Sequence, residues 1–238
     1  LAGMIVTVLI QSSSGTTVLT VGLVNAGFMT LRQSIGVIMG ANIGTTITAF
    51  IIGFDIGAYA LPILGIGAIL LFFFKEKRIT NIGLTIFGFG ALFFGLELMS
   101  SGLKPLRDLQ AFHDLTVSMS DNPILGAVIG TVFTIVVQSS SATIGILQSL
   151  MLEDAIQLKA ALPVLFGDNI GTTITAVLAS IGATIAAKRA ALTHVIFNVI
   201  GATIVITFIH FYTIMMEHIQ AALELNPAMT IAFAHGIF

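Results

Sequence analysis

The 238-residue chain is 56% hydrophobic and only 8% charged, with a mean hydropathy of +1.07. Soluble domains carry roughly 25% charged residues, so this chain lacks the polar surface that water demands, and lipid is its expected solvent. A net charge of −2 offers no field for nucleic acid, and the lack of cysteine excludes disulfides, thiol nucleophiles and zinc–thiolate centres.

Leu1–Ile10 is apolar, has no basic flank and runs straight into Gln11-Ser12-Ser13-Ser14, which is not the pattern of a signal peptide. Further apolar stretches follow near 16–29, 34–54, 58–74, 81–103, 123–150, 160–187, 190–216 and 228–238. Asp55 is expected at a membrane boundary, and 104–122, the longest stretch suited to water, is too short to bury a core. A full span needs about 20 apolar residues. Several stretches are shorter, or are interrupted by Ser, Thr, Asn and Gly with apolar residues on both sides. No charge marks an exit to water there, so these interruptions read as broken helices or re-entrant hairpin tips. Irregular backbone at that depth is tolerated only when buried in protein or lining an aqueous cavity. The expected class is an all-α, polytopic membrane protein, multi-pass in the cell membrane.

The chain also repeats itself. Gln11–Ser14 recurs as Gln138–Ser141, an offset of 127 (138 − 11). Gly40-Ala-Asn-Ile-Gly-Thr-Thr-Ile-Thr-Ala49 recurs as Gly167-Asp-Asn-Ile-Gly-Thr-Thr-Ile-Thr-Ala176, again at 127 (167 − 40), with one difference in ten positions. The same spacing pairs Gly3 with Gly130, Thr7 with Thr134 and Arg32 with Lys159. Two motifs held at one spacing are a duplication. The expected units are 1–80, a first copy lacking its leading helix, and 81–211, the second copy. The remainder, 212–238, is an amphipathic segment and the start of a further helix. On this reading the chain begins and ends inside structural units.

Paired interruptions at matching positions of two halves point to a transporter's substrate site. Gln-Ser-Ser-Ser supplies three hydroxyls and an amide. Where it opens a helix, free N–H groups and the positive dipole end suit an oxyanion. Asn-Ile-Gly-Thr-Thr adds an amide, two hydroxyls and a glycine able to break the helix, a set suited to a hard monovalent cation. No Lys or Arg lies inside either motif pair. Two helix ends of about half a charge each leave a dianion under-neutralised, so co-bound cations would complete the balance and couple the two solutes. Asp168, which replaces Ala41, is a candidate cation ligand or protonatable group; the competing reading is a carboxylate in a watered vestibule. Glu97 lies near the end of its apolar segment, where an interfacial pairing fits equally well, and His194 and Asn198 share one helix face, which suits bonding between helices.

At these residues the chain resembles the type II sodium–phosphate cotransporter family in its bacterial form. The likeness rests on the doubled motifs, Gln11–Ser14 with Gly40–Ala49 and Gln138–Ser141 with Gly167–Ala176. Val24–Gly27, Gly95–Pro105 and the Ala-x-x-His-x-x-Phe-Asn stretch ending at Asn198 extend it. The resemblance implies two inverted-topology repeats and alternating access. It implies a phosphate site lined by Ser12, Ser13, Ser14, Ser139, Ser140 and Ser141. Sodium ligands would then come from Gln11, Asn42, Thr45, Thr46, Gln138, Asn169, Thr172 and Thr173, with Asp168 beside them. Sodium is the coupling ion and no other cofactor is implied; inorganic phosphate, sodium and the lipid bilayer are the partners, and a homodimer is left open. The family's animal members carry an aspartate tied to electrogenic transport that has no matching motif here, which leaves the number of sodium ions open. Two other classes compete: an intramembrane serine hydrolase pairing one of these serines with His194, and a passive anion channel.

Overall fold

The computed structural model describes residues 1–54 and 56–238, so the position expected for Asp55 lies outside the described residues. Those residues form helices and no strand. They are α1 Ala2–Ile10, α2 Ser13–Asn25, α3 Leu31–Gly53, α4 Ala60–Phe73, α5 Lys77–Leu103, α6 Gln110–Asp121 and α7 Pro123–Val137. The second part of the chain follows with α8 Ser140–Leu152, α9 Leu158–Thr172, α10 Ile174–Ala179, α11 Ile185–Thr207, α12 Ile209–Ala222 and α13 Pro227–Ile237. Four helical segments are long and apolar enough to cross a membrane: 31–53, 77–108, 158–179 and 185–207. The pair α6 and α7, bent by 117° between them, makes a fifth if counted as one span. The chain is a multi-pass membrane protein.

The boundaries follow local chemistry. Thr30 and Gln33 form a capping box that opens α3, with the Thr30 amide donating to Gln33 Oε1 at 2.9 Å. Asn122-Pro123 opens α7 and Asn226-Pro227 opens α13: each Asn side chain accepts a backbone N–H, and each Pro sits where no amide is needed.

The duplication extends to these boundaries. Residues 10 and 137 end α1 and α7; 13–25 and 140–152 bound α2 and α8; 31 and 158 start α3 and α9. Each pair differs by 127. Packing repeats as well. A side chain on Gly3 would strike the Val37 carbonyl, and one on Gly130 would strike the Val164 carbonyl. Gly44 lies against the Thr7 side chain as Gly171 lies against that of Thr134. Small residues thus bring α1 onto α3 and α7 onto α9, the means by which helices pack closely in a membrane.

Two expectations are corrected here. The glycine of Asn-Ile-Gly-Thr-Thr was expected to break its helix, but α3 runs unbroken through Gly44, because that glycine is used for close packing on Thr7. In the second copy the only irregularity is a turn at Thr173, between α9 and α10. The apolar run expected over 190–216 divides at Phe208 into α11 and α12, and α12 ends at Ala222, beyond that run.

The close approaches carry a prediction. Gly130→Val should destabilise the α7–α9 pair by about 1–3 kcal/mol through overpacking. Gly88→Ala, with nothing within 4 Å of the added carbon, should leave the melting temperature in detergent unchanged or slightly raised. Equal melting of both variants would contradict this packing.

Candidate functional site: two serine-capped helix breaks and a cavity between the copies

Each copy carries the same interruption. α1 ends at Gln11, held in the left-handed region at φ 57°, ψ 32°, and α7 ends at Gln138, at φ 59°, ψ 21°. A non-glycine residue there costs about 1–3 kcal/mol and persists only where its surroundings impose it, often at functional positions. Ser12 and Ser139 follow in extended backbone, at φ −150° and −145°. Each caps the next helix: Ser12 Oγ accepts from the Gly15 amide at 3.0 Å, and Ser139 Oγ from the Ala142 amide at 3.2 Å. Ser13 and Ser14, like Ser140 and Ser141, then form the first turns of α2 and α8. Their amides have no acceptor within the helix. Both serine clusters therefore sit at helix N-termini, the placement in which their sequence suits an oxyanion. Ser13 and Ser140 are buried, while the other four serines are half-buried.

The glutamine side chains are partly committed. Gln11 donates to the Val8 carbonyl and accepts from Thr48 Oγ1 at 2.9 Å, while Gln138 donates to the Ile135 carbonyl at 2.8 Å. Behind each break a threonine pair ties the two helices: Thr7 to Thr16 at 2.9 Å and Thr134 to Thr143 at 3.0 Å. In the second copy Thr134 also donates to Asp168 Oδ1 at 2.7 Å. Asp168 is fully buried, and its Oδ2 has no hydrogen-bond partner among the described residues. Ala41 fills the equivalent place in the first copy, so the two breaks differ by one carboxylate.

The Asn-Ile-Gly-Thr-Thr motifs meet across the interface of the copies. Asn42 and Thr46 on α3 and Asn169 on α9 line one cavity of about 140 Å³, closed by Phe197, His235 and Phe238. Asn42 Nδ2 donates to Asn198 Oδ1 at 3.0 Å, and its Oδ1 lies 3.3 Å from His194 Nε2. Thr46 Oγ1 lies 3.0 Å from His235 Nδ1. Residues 42 and 46 share one face of α3, and each meets a histidine from another helix. His194 and Asn198 thus bond between helices, as their spacing predicted. His235 was missed as a site residue; its only signal was that Ala234–Phe238 echoes Thr193–Phe197.

The remaining predicted ligands are buried and turned to their own helices. Asn169 donates to the Leu165 carbonyl, Thr45 to that of Ala41, Thr172 to that of Asp168 and Thr173 to that of Ile170. The cavity's lining includes Asn42, Thr46 and Asn169, but none of the six serines and not Asp168. α2 nevertheless packs on α10 and α11 of the second copy, while α8 packs on α3 of the first. Each serine-capped helix is thereby held against the opposite copy. His194 Nε2 is engaged with Asn42 Oδ1.

Helices of membrane-spanning length, a doubled helix break and polar groups at the meeting of two halves define the class of a multi-pass membrane transporter. The chain belongs to the Na+/Pi-cotransporter family, whose profile matches it twice, over residues 1–101 and 99–233. This is a family of transporters and not of enzymes. The chain is 35% identical to the uncharacterized YqeW of Bacillus subtilis, over its full length and 76% of that protein. It is 29% identical to YjbB of Escherichia coli, a protein provisionally named for inorganic phosphate export, matching 100% of this chain and 43% of that one. A 113-residue stretch is 36% identical to the human sodium-dependent phosphate transport protein 2B, covering 46% of this chain and 16% of that one. No solved structure matches the chain.

The asymmetry at Asp168 is testable. Thr134→Val removes the hydroxyl at 2.7 Å from the buried Asp168 carboxylate and should cost about 2 kcal/mol, whereas Thr7→Val breaks one hydroxyl pair and should cost about 1 kcal/mol. Thermal melts in detergent compare the two; identical losses would mean that the carboxylate draws nothing from Thr134.

Proposed function

We propose that this chain carries inorganic phosphate together with sodium, by alternating access, through one site formed where two inverted-topology repeats meet. The units would be 1–80 and 81–211, with the two breaks acting as re-entrant hairpin tips. The observation that carries the reading is the pair of serine-capped helix starts, at Ser12–Ser14 and Ser139–Ser141, each opening after a left-handed glutamine. Free amides and hydroxyls at a helix N-terminus bind anions well, and the two sets would supply such donors from both copies.

Sodium supplies what the helix ends lack. No Lys or Arg lies within these motifs, so a divalent phosphate needs about one more positive charge than two dipoles deliver. Gln11, Gln138, Asn42, Thr45, Thr46, Asn169, Thr172, Thr173 and Asp168 are the proposed oxygen donors for sodium. Several of them donate to carbonyls of their own helices, which leaves the lone pairs of their side-chain oxygens for a cation. The direction of net transport follows the gradients. The names of two relatives, one for export and one for sodium-dependent transport, fit either sense.

Phosphate uptake into proteoliposomes tests this. With an inward sodium gradient, uptake should saturate with phosphate and fall at least tenfold when choline replaces sodium. Ser12→Ala and Ser139→Ala should each reduce it by a similar factor, since both copies serve one site. Uptake that is linear in phosphate and indifferent to sodium would contradict coupling and favour the anion channel.

A further inference from the structure

Away from both serine motifs, a polar pocket and an apolar groove meet at one end of the α7–α9 pair. The pocket, of about 290 Å³, is lined by Ser120 at the end of α6, Lys159 in the first turn of α9, and His210, Thr213 and Glu217 on α12. The last three are spaced so that they share one face of α12. The groove, of about 570 Å³, is lined by Ile124, Val128 and Thr131 of α7, Ile170 of α9 and Ile206 of α11. Pro123 lines both, so the two join at the start of α7.

Their arrangement follows the helices. Gly126 lies against Pro163, Gly130 against Val164 and Gly171 against Thr134, so α7 and α9 run parallel and begin side by side. Two positive helix ends therefore face the pocket. The chain bends by 117° between α6 and α7, so the pocket sits where the spans end and the groove runs inward from it. From Pro123 to Thr131 the groove follows α7 for about 12 Å by helical rise. That is most of one leaflet of a hydrocarbon core about 30 Å thick. A polar mouth over an apolar channel of that depth has the shape of a lipid, with the headgroup outside and an acyl chain within.

Charge selects the headgroup. Lys159 lies 3.9 Å from Asp121, but the two side chains are 58% and 75% exposed, and so solvated a pair holds the lysine weakly. Glu217, on the α12 side, is exposed and pairs with no cation among the described residues. A purely anionic headgroup would meet carboxylates on both flanks of the lysine. A zwitterionic one finds a partner for each charge: Lys159 and the helix starts for its phosphate, Glu217 for its ammonium. A primary ammonium also donates hydrogen bonds to a carboxylate, which a trimethylammonium cannot do.

We propose that this pocket and groove hold one phosphatidylethanolamine molecule, its phosphate at Lys159, its ammonium at Glu217 and one acyl chain along Ile124, Val128 and Ile206. The lipid would bridge α12 to the starts of α7 and α9. None of the six motif serines lines either space.

The test is native mass spectrometry of the purified full chain, delipidated in detergent and titrated with phosphatidylethanolamine, phosphatidylcholine or phosphatidylglycerol of matched acyl chains. Size-exclusion profiles report folding. One phosphatidylethanolamine should be retained with at least fivefold preference over either other lipid. Glu217→Gln should abolish the preference over phosphatidylcholine, and Lys159→Gln should weaken retention of phosphatidylethanolamine at least fivefold. Val128→Trp, which fills the groove, should weaken it severalfold. Inorganic phosphate should not displace the lipid; displacement would assign the pocket to the free anion and overturn the proposal. Equal retention of the three lipids, or unchanged retention in folded Lys159→Gln and Glu217→Gln proteins, would also overturn it and leave ordinary boundary lipid in the groove.

Discussion

In hydrocarbon a backbone amide has no water to turn to, so every interruption of a helix must find its partners within the protein. The two interruptions at Gln11 and Gln138 meet that demand in the same way. The Ser12 and Ser139 hydroxyls satisfy the third amide of the following helix, and the threonine pairs Thr7–Thr16 and Thr134–Thr143 brace the two arms. What stays unsatisfied is the first two amides of α2 and of α8. Those unmet donors are where the proposed anion would bind, and the glycine-mediated packing of α1 on α3 and of α7 on α9 holds the helices that carry them. Structure and function here share one constraint.

Asymmetry within the duplication is as informative as the likeness. Asp168 stands where the first copy has Ala41, and it takes a hydrogen bond from Thr134 that has no counterpart at Thr7. Gln11 is bonded by Thr48, whereas Thr175, the matching residue, turns to the Thr172 carbonyl. Gln148 ties α8 to α3 and α13 in a way that Val21 cannot match. The two copies thus keep the same serine-capped helix starts while the side chains around them differ.

Much of this was legible in the residues because it is local. Ser at a helix start, Asn-Pro before α7 and α13, and the 127-residue spacing all announce themselves within a few positions. The glycine of Asn-Ile-Gly-Thr-Thr misled for a physical reason: in a membrane helix glycine serves close approach at least as often as it serves breakage. Gly44 and Gly171 do the former. The roles of His235 and Gln148 were hidden because their partners lie 189, 99 and 80 residues away in sequence. α6 lies in the stretch expected to suit water, since its polar residues outweigh the few that turn inward, such as Thr116 and Met119.

The absence of cysteine makes the central claim directly measurable. With Ser14→Cys and Ser141→Cys placed one at a time, a membrane-impermeant thiol reagent reports whether each helix start faces an aqueous pocket. Both cysteines should react, and phosphate with sodium should protect both over the same concentration range. Cysteines that react at unchanged rates with both solutes present, or that phosphate protects at one position only, would contradict a single site shared by the two copies.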